Sequence, residues 1–357
     1  NELTNLDVSG CTVLEDLQCY ENILTNLDLS GCTGLKMLYC DKDKITTLNV
    51  SGCAKLASLN LSEYIGLKDL NCSGLGLKTL DLSTLTGLIK LDCSNNELTS
   101  LDLTSLTELT TLDVSNCSGL ETLSCNKAKI TTLNVSGCSN LTLSDLGEYV
   151  GLKDLNCSGI SLTTLDLTSL TELTTLDVSN CSGLETLSCN KAKITTLNVS
   201  GCSNLTLSDL GEYVGLKDLN CSGLDLEALD LSNLTGLTKL NCSDNSLTTL
   251  DVSGCTGLQE LYCYSNELTN LDVSGCTGLQ KLKCSYNKLT NLDVSSCSEL
   301  ETLSCDKAKI TTLNVSGCTK LASLNLSEYV GLKDLNCSCL GLEALDLSTL
   351  TGLIKLD

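Results

Sequence analysis

The sequence predicts a mostly β solenoid in which two parallel sheets face each other, with about two short strands per 21-residue coil and little or no helix. Three observations carry that expectation. The first is periodicity: broken before each leading leucine, residues 247–299 read LTTLDVSGCTG, LQELYCYSNE, LTNLDVSGCTG, LQKLKCSYNK and LTNLDVSSCSE, so 11- and 10-residue lines alternate. The second is that both lines share one half-repeat, with Leu at positions 1 and 4, Val, Leu or Cys at 6, and Asn, Cys or Leu at 9. The third is composition. Of 357 residues 41% are hydrophobic but only 3% aromatic, and Pro, Trp and Phe are absent, so aliphatic side chains must fill the interior.

The half-repeats run from Leu3, Leu14, Leu24 and Leu35 to Leu353, making 33 complete copies and a truncated one. Positions 3 to 7 alternate outward and inward, as in NLDVS at 5–9 and ELYCY at 260–264, which is the period of a strand with one face buried. Ser-Gly, Thr-Gly and Asn-Glu near position 9 suit a tight corner. Two segments depart from the template. In LTLSDLGEYVG, starting at 141 and 205, Ser144 and Ser208 take the inward position 4, and a local register adjustment with Leu143 and Leu207 turned inward is expected. Four EY(V/I)G elements put Tyr64, Tyr149, Tyr213 and Tyr329 at a corner, where they should fill extra width rather than bind a ligand.

Block copies lie above this period: residues 101–159 equal 165–223, and 1–92 align without a gap to 266–357. The whole of 1–357 therefore reads as a single solenoid domain. Both ends fall inside a half-repeat, which suggests a window of a longer array, or ends that stack on copies of themselves.

The charge balance restricts the partners. Forty-four acidic residues stand against 22 basic ones, all lysine, for a net charge of −22. Such a surface has no basic footprint for nucleic acid and is repelled by anionic lipid. No stretch approaches the 18 apolar residues of a spanning helix, and no signal or transit peptide is visible. Without histidine, a Gly-rich phosphate loop or an insertion long enough to wall a pocket, no enzymatic activity and no cofactor are expected.

Of the 25 cysteines, 13 occupy position 6, 11 occupy position 9, and Cys339 alone falls at position 8. At positions 6 and 9 they replace Val, Leu or Asn, so they are expected as buried free thiols, with Cys339 the likeliest to face outward. An odd count does not suit a disulfide framework.

At this level LxxLxCxxNxLTxLDVSxC resembles the bacterial leucine-rich repeat, LxxLxLxxNxL, and most of all its nested 21-residue class, sometimes called IRREKO. The resemblance covers essentially the whole chain. It implies a secreted or surface-attached bacterial protein that binds or adheres to a protein partner; the alternative is a structural protein whose coils stack end to end into filaments, copies of itself being the partner.

Within that frame three groups of outward residues are candidate sites. Glu260, Tyr262, Tyr264, Lys281, Lys283 and Tyr286 lie in adjacent coils on one side, as do Asp16, Gln18, Tyr20, Met37 and Tyr39. Tyrosine at such places supplies contact area and a hydroxyl at small entropic cost. Asp230, Asp251, Asp272 and Asp293 recur at position 5 in successive coils, and a divalent cation bridging neighbours would relieve their repulsion.

Overall fold

The computed structural model describes residues 1–56, 59–142, 145–321, 326–340 and 344–357. They form a parallel β solenoid that divides into two compact units, Asn1–Ser161 with Leu165–Leu173, and Leu162–Thr164 with Thr174–Asp357.

In the first unit the main sheet runs through Asn26–Asp28, Thr47–Asn49, Asp69–Asn71, Lys90–Asp92, Thr111–Asp113, Thr132–Asn134 and Asp154–Asn156. All pairs are parallel and in register: Asn26 faces Thr47, and Thr47 faces Asp69. In the second unit the same face is built from Thr175–Asp177, Thr196–Asn198, Asp218–Asn220, Lys239–Asn241, Glu260–Tyr262, Lys281–Lys283 and Thr302–Ser304. Each strand is three residues long because only positions 3 to 5 are extended. The central leucine is buried, as with Leu48, Leu219 and Leu261, each 0% exposed.

The opposite face departs from expectation. Among the described residues its strands fall into separate pieces: Asp16–Gln18 with Met37–Tyr39, Ser100–Leu103 with Thr122–Cys125, Thr164–Asp166 with Thr186–Ser188, and Asn291–Asp293, Thr312–Asn314, Asp334–Asn336 and Lys355–Leu356. The corner turns continue between these pieces as they do after the strands, with Leu85 N–H bonding Leu82 O and Leu88 N–H bonding Leu85 O, both at 2.9 Å.

Corners are closed by two devices. Where position 9 is asparagine, the amide works on both sides: Asn96 Oδ1 accepts from Leu75 N and Leu77 N at 3.1 and 2.9 Å, while its Nδ2 donates to Cys72 O and Cys93 O at 3.0 and 2.9 Å. Where it is cysteine, one thiol replaces that network, with Cys138 Sγ 3.1 Å from Val114 O and Cys202 Sγ 3.0 Å from Val178 O. The four corner tyrosines are 1–4% exposed, and their hydroxyls lie 3.2–3.6 Å from Cys40, Cys125, Cys189 and Cys305 Sγ. They fill corners, as expected.

The register adjustment differs from expectation. Leu207 is only half-buried and Ser208 is exposed, while Leu210, opening the 3-10 turn Leu210–Glu212, takes the inward place at 3% exposure. The corresponding Leu143 and Ser144 lie outside the described residues.

Candidate binding surface

The main face of the second unit has a plain background against which departures stand out. Positions 5 and 7 read Asp177 and Ser179, Asn198 and Ser200, Asn220 and Ser222, Asn241 and Ser243. In each pair the serine N–H donates to the Asx Oδ1, at 2.8, 3.2, 3.2 and 3.1 Å respectively. These side chains are short and already hydrogen-bonded to their own backbone, so they present little to a partner.

The next two strands replace this ladder with Tyr262 and Tyr264, then Lys283 and Ser285. In-register pairing sets Glu260 beside Lys281 and Tyr262 beside Lys283. Lys281 Nζ lies 2.8 Å from Glu260 Oε1, and Tyr262 donates its hydroxyl to Glu260 Oε2 at 3.0 Å. The Lys281 ammonium thereby holds the Glu260 carboxyl below its usual range, and Glu260 in turn raises Lys281. Burial, with the Glu260 hydrogen bond, pushes the Tyr262 phenol up. Lys283 Nζ sits 5.4 Å from the centre of the Tyr262 ring. Of the two lysines, then, only Lys283 is left without an ion-pair partner among the described residues.

Tyr286 stands just past the strand, 73% exposed and with φ +56°. Its place is position 8, which on this face is left-handed in the coils from Gly52 to Tyr286, as at Gly137, Gly201, Asn116, Asp244 and Ser265. A bulky residue is disfavoured there. Asp306 holds it in place: Oδ1 accepts from Tyr286 N and Oδ2 from Asn287 N, both at 2.7 Å. The sequence carried the signal in the Gly, Asn and Asp that recur at position 8, but reading it required knowing which corner turns left-handed.

In the first unit Tyr20, Met37 and Tyr39 are 52%, 42% and 48% exposed; Met37 and Tyr39 lie on one strand, Tyr20 just past the neighbouring strand, whose Gln18 pairs with Tyr39. Tyr39 Oη lies 3.7 Å from Met37 Sδ. Asp16 and Gln18 face outward on the adjoining strand. This group is brought together as the spacing implied.

The aspartate series lies at turns. Oδ1 of Asp230, Asp251, Asp272 and Asp293 accepts the N–H of Ser232, Ser253, Ser274 and Ser295, each at 2.9 Å. Hydrogen bonds from these serines hold Asp230, Asp251 and Asp272 below the ordinary carboxylate range. Asp293 also accepts from Asn314 Nδ2 at 3.0 Å. The carboxylates cap turns, and among the described residues no three His, Cys, Asp or Glu side chains converge as a metal centre would require.

The family profile described as Leucine Rich repeats (2 copies) matches residues 235–276, a stretch that contains Tyr262 and Tyr264. No curated protein matches the chain. Among solved structures, the functional domain of InlJ from Listeria monocytogenes, which includes a cysteine ladder, is 30% identical with a TM-score of 0.52, covering 93% of this chain and 62% of that one. The chain thus spans less than two thirds of that neighbour's length. A leucine-rich-repeat protein of Leptospira interrogans is 20% identical with a TM-score of 0.50, covering 99% of this chain and 88% of that one.

Proposed function

We propose that this protein, a leucine-rich-repeat solenoid of the bacterial type, is a non-enzymatic scaffold that binds a protein partner through the strands Glu260–Tyr262 and Lys281–Lys283 and the corner after them. One observation supports this above the rest. Tyr286 keeps a large, 73% exposed aromatic side chain in a left-handed backbone position where the same face otherwise carries the small residues Gly, Asn, Asp or, in the coil before it, Ser265. Strained backbone positions cluster at binding and active sites. Tyr262 and Tyr264 add aromatic area beside it. The Tyr20, Met37 and Tyr39 group offers a second contact region on the first unit. The resemblance to secreted and surface-attached bacterial repeats supports a place outside the cell.

Capture experiments on native material test the proposal with wild type and with Tyr262→Ala combined with Tyr264→Ala. The double variant should fold normally and bind more weakly by at least about 2 kcal/mol, the usual size of a hot spot. Equal capture by both proteins would remove this surface from consideration. Fibres formed by both, with no partner captured by either, would support filament assembly through stacked coils instead.

A further inference from the structure

We infer that the occupant of this surface is an acidic segment of a protein partner, with a carboxylate meeting Lys283 and an adjacent apolar side chain lying against Tyr262, Tyr264 and Tyr286. The inference rests on the proposed binding role and goes on to name the chemistry.

The argument starts from how the parallel register distributes charge. Position 3 along this face runs Asp218, Lys239, Glu260, Lys281, in register at each step. Lys239 lies 3.6 Å from Asp218 and Lys281 2.8 Å from Glu260, so each lysine here is answered by the carboxylate of the preceding coil. Position 5 runs Asn241, Tyr262, Lys283, Ser304, and holds no carboxylate at all. Lys283 is exposed, and among the described residues its one close partner is the Tyr262 ring at 5.4 Å. An exposed cation over a phenol ring is weakly held. On a chain of net charge −22, an unmatched cation set among three tyrosines is the place where an incoming carboxylate finds a partner.

The tyrosines define the rest of the occupant. The Tyr262 hydroxyl is already engaged by Glu260, so that residue presents ring rather than polar tip. Tyr264 follows it on the same side, and Tyr286 projects from the next corner with its backbone fixed by Asp306. Preorganised aromatic area beside a single cation suits a carboxylate flanked by an apolar side chain, as in a Glu-Leu or Asp-Ile segment. Nucleic acid also carries anionic groups, but its phosphates would meet the repulsion of the remaining surface along their whole length.

Peptide selection against the immobilised full-length chain tests this. The selection is run in parallel on wild type, Lys283→Glu, and Tyr262→Ala combined with Tyr264→Ala. Wild type should enrich peptides with Asp or Glu next to an apolar residue. The synthesised peptides should bind Lys283→Glu at least tenfold more weakly, and replacing their acidic residue with lysine should recover affinity for that variant. Peptides that bind Lys283→Glu as tightly as wild type but are lost on the double tyrosine variant would overturn the acidic occupant and leave the surface standing. Peptides indifferent to both variants, or no enrichment over the double variant, would overturn the inference together with the binding role. Circular dichroism and thermal unfolding of the variants verify that each is folded.

Discussion

At the scale of single residues the informative position is the left-handed corner. Gly52, Gly137, Gly201 and Gly317 occupy it without strain, whereas Tyr286 at φ +56° and Cys339 at +60° do not. Replacing Tyr286 with glycine should therefore relieve strain, offset in part by the larger entropy of an unfolded glycine. A net gain of roughly 0.5–1 kcal/mol is expected in chemical denaturation, together with loss of partner binding. A loss of stability would show that the tyrosine is there for packing. The thiols give a second residue-scale prediction. Burial pushes Cys72, Cys138, Cys221 and Cys276 up to about 12 and Cys53, Cys202 and Cys318 up to about 11, so little thiolate exists at neutral pH. Native alkylation should reach Cys11 and Cys339, which are exposed, and spare the buried thiols until the chain unfolds. A protein isolated with most thiols already oxidised would contradict this.

At the scale of the element, a three-residue strand has no stability of its own, and each coil depends on the leucine it places between the faces. Leu261 is 0% exposed at the centre of Glu260–Tyr262. Leu261→Asp removes about 2–3 kcal/mol of apolar burial and adds an unpaired buried charge, so a loss of several kcal/mol is expected. Because each repeat chiefly contacts its neighbours, hydrogen exchange should rise in the coils around 240 and 282 well before it rises elsewhere in the second unit. Uniform loss of protection along that unit would mean that it unfolds as one block.

At the scale of the whole molecule, charge sets the response to pH. Asp7, Asp81, Asp102, Asp166, Asp230, Asp251, Asp272 and Asp346 all lie below the ordinary carboxylate range because each accepts hydrogen bonds from the Ser or Thr two residues on. A carboxyl whose folded pKa is depressed contributes stability above its unfolded value, about 3.9, and loses it as pH falls through the folded value. Opposing this, self-repulsion at net −22 weakens as the other carboxylates protonate. Stability should therefore hold or rise from pH 7 to about 5 and then decline below about 3.9, as followed by circular dichroism of denaturant midpoints. A midpoint that keeps rising to pH 3 would show that repulsion outweighs the turn caps.

The solenoid, the half-repeat register, the burial of most cysteines at positions 6 and 9 (Cys11 is exposed) and the corner tyrosines all follow from the sequence alone. A repeated template leaves little choice once one copy is read, because an inward leucine can be buried only if neighbouring coils stack in register. It also placed Tyr262, Tyr264 and Lys283 together, since coil spacing converts 21 residues of sequence into adjacent strands. Tertiary structure decided the rest. Among the described residues the opposite sheet is interrupted, and Leu210 rather than Leu207 is the residue buried on that side, which no alternation pattern foretells. Pairing across coils turned two lysines into one unmatched cation, since Lys281 is neutralised by a carboxylate 21 residues earlier. The aspartate series became turn caps, and Tyr286 became a residue held in left-handed backbone by Asp306. These outcomes depend on backbone dihedrals and on which oxygen each donor reaches, and both are settled only when the coils close.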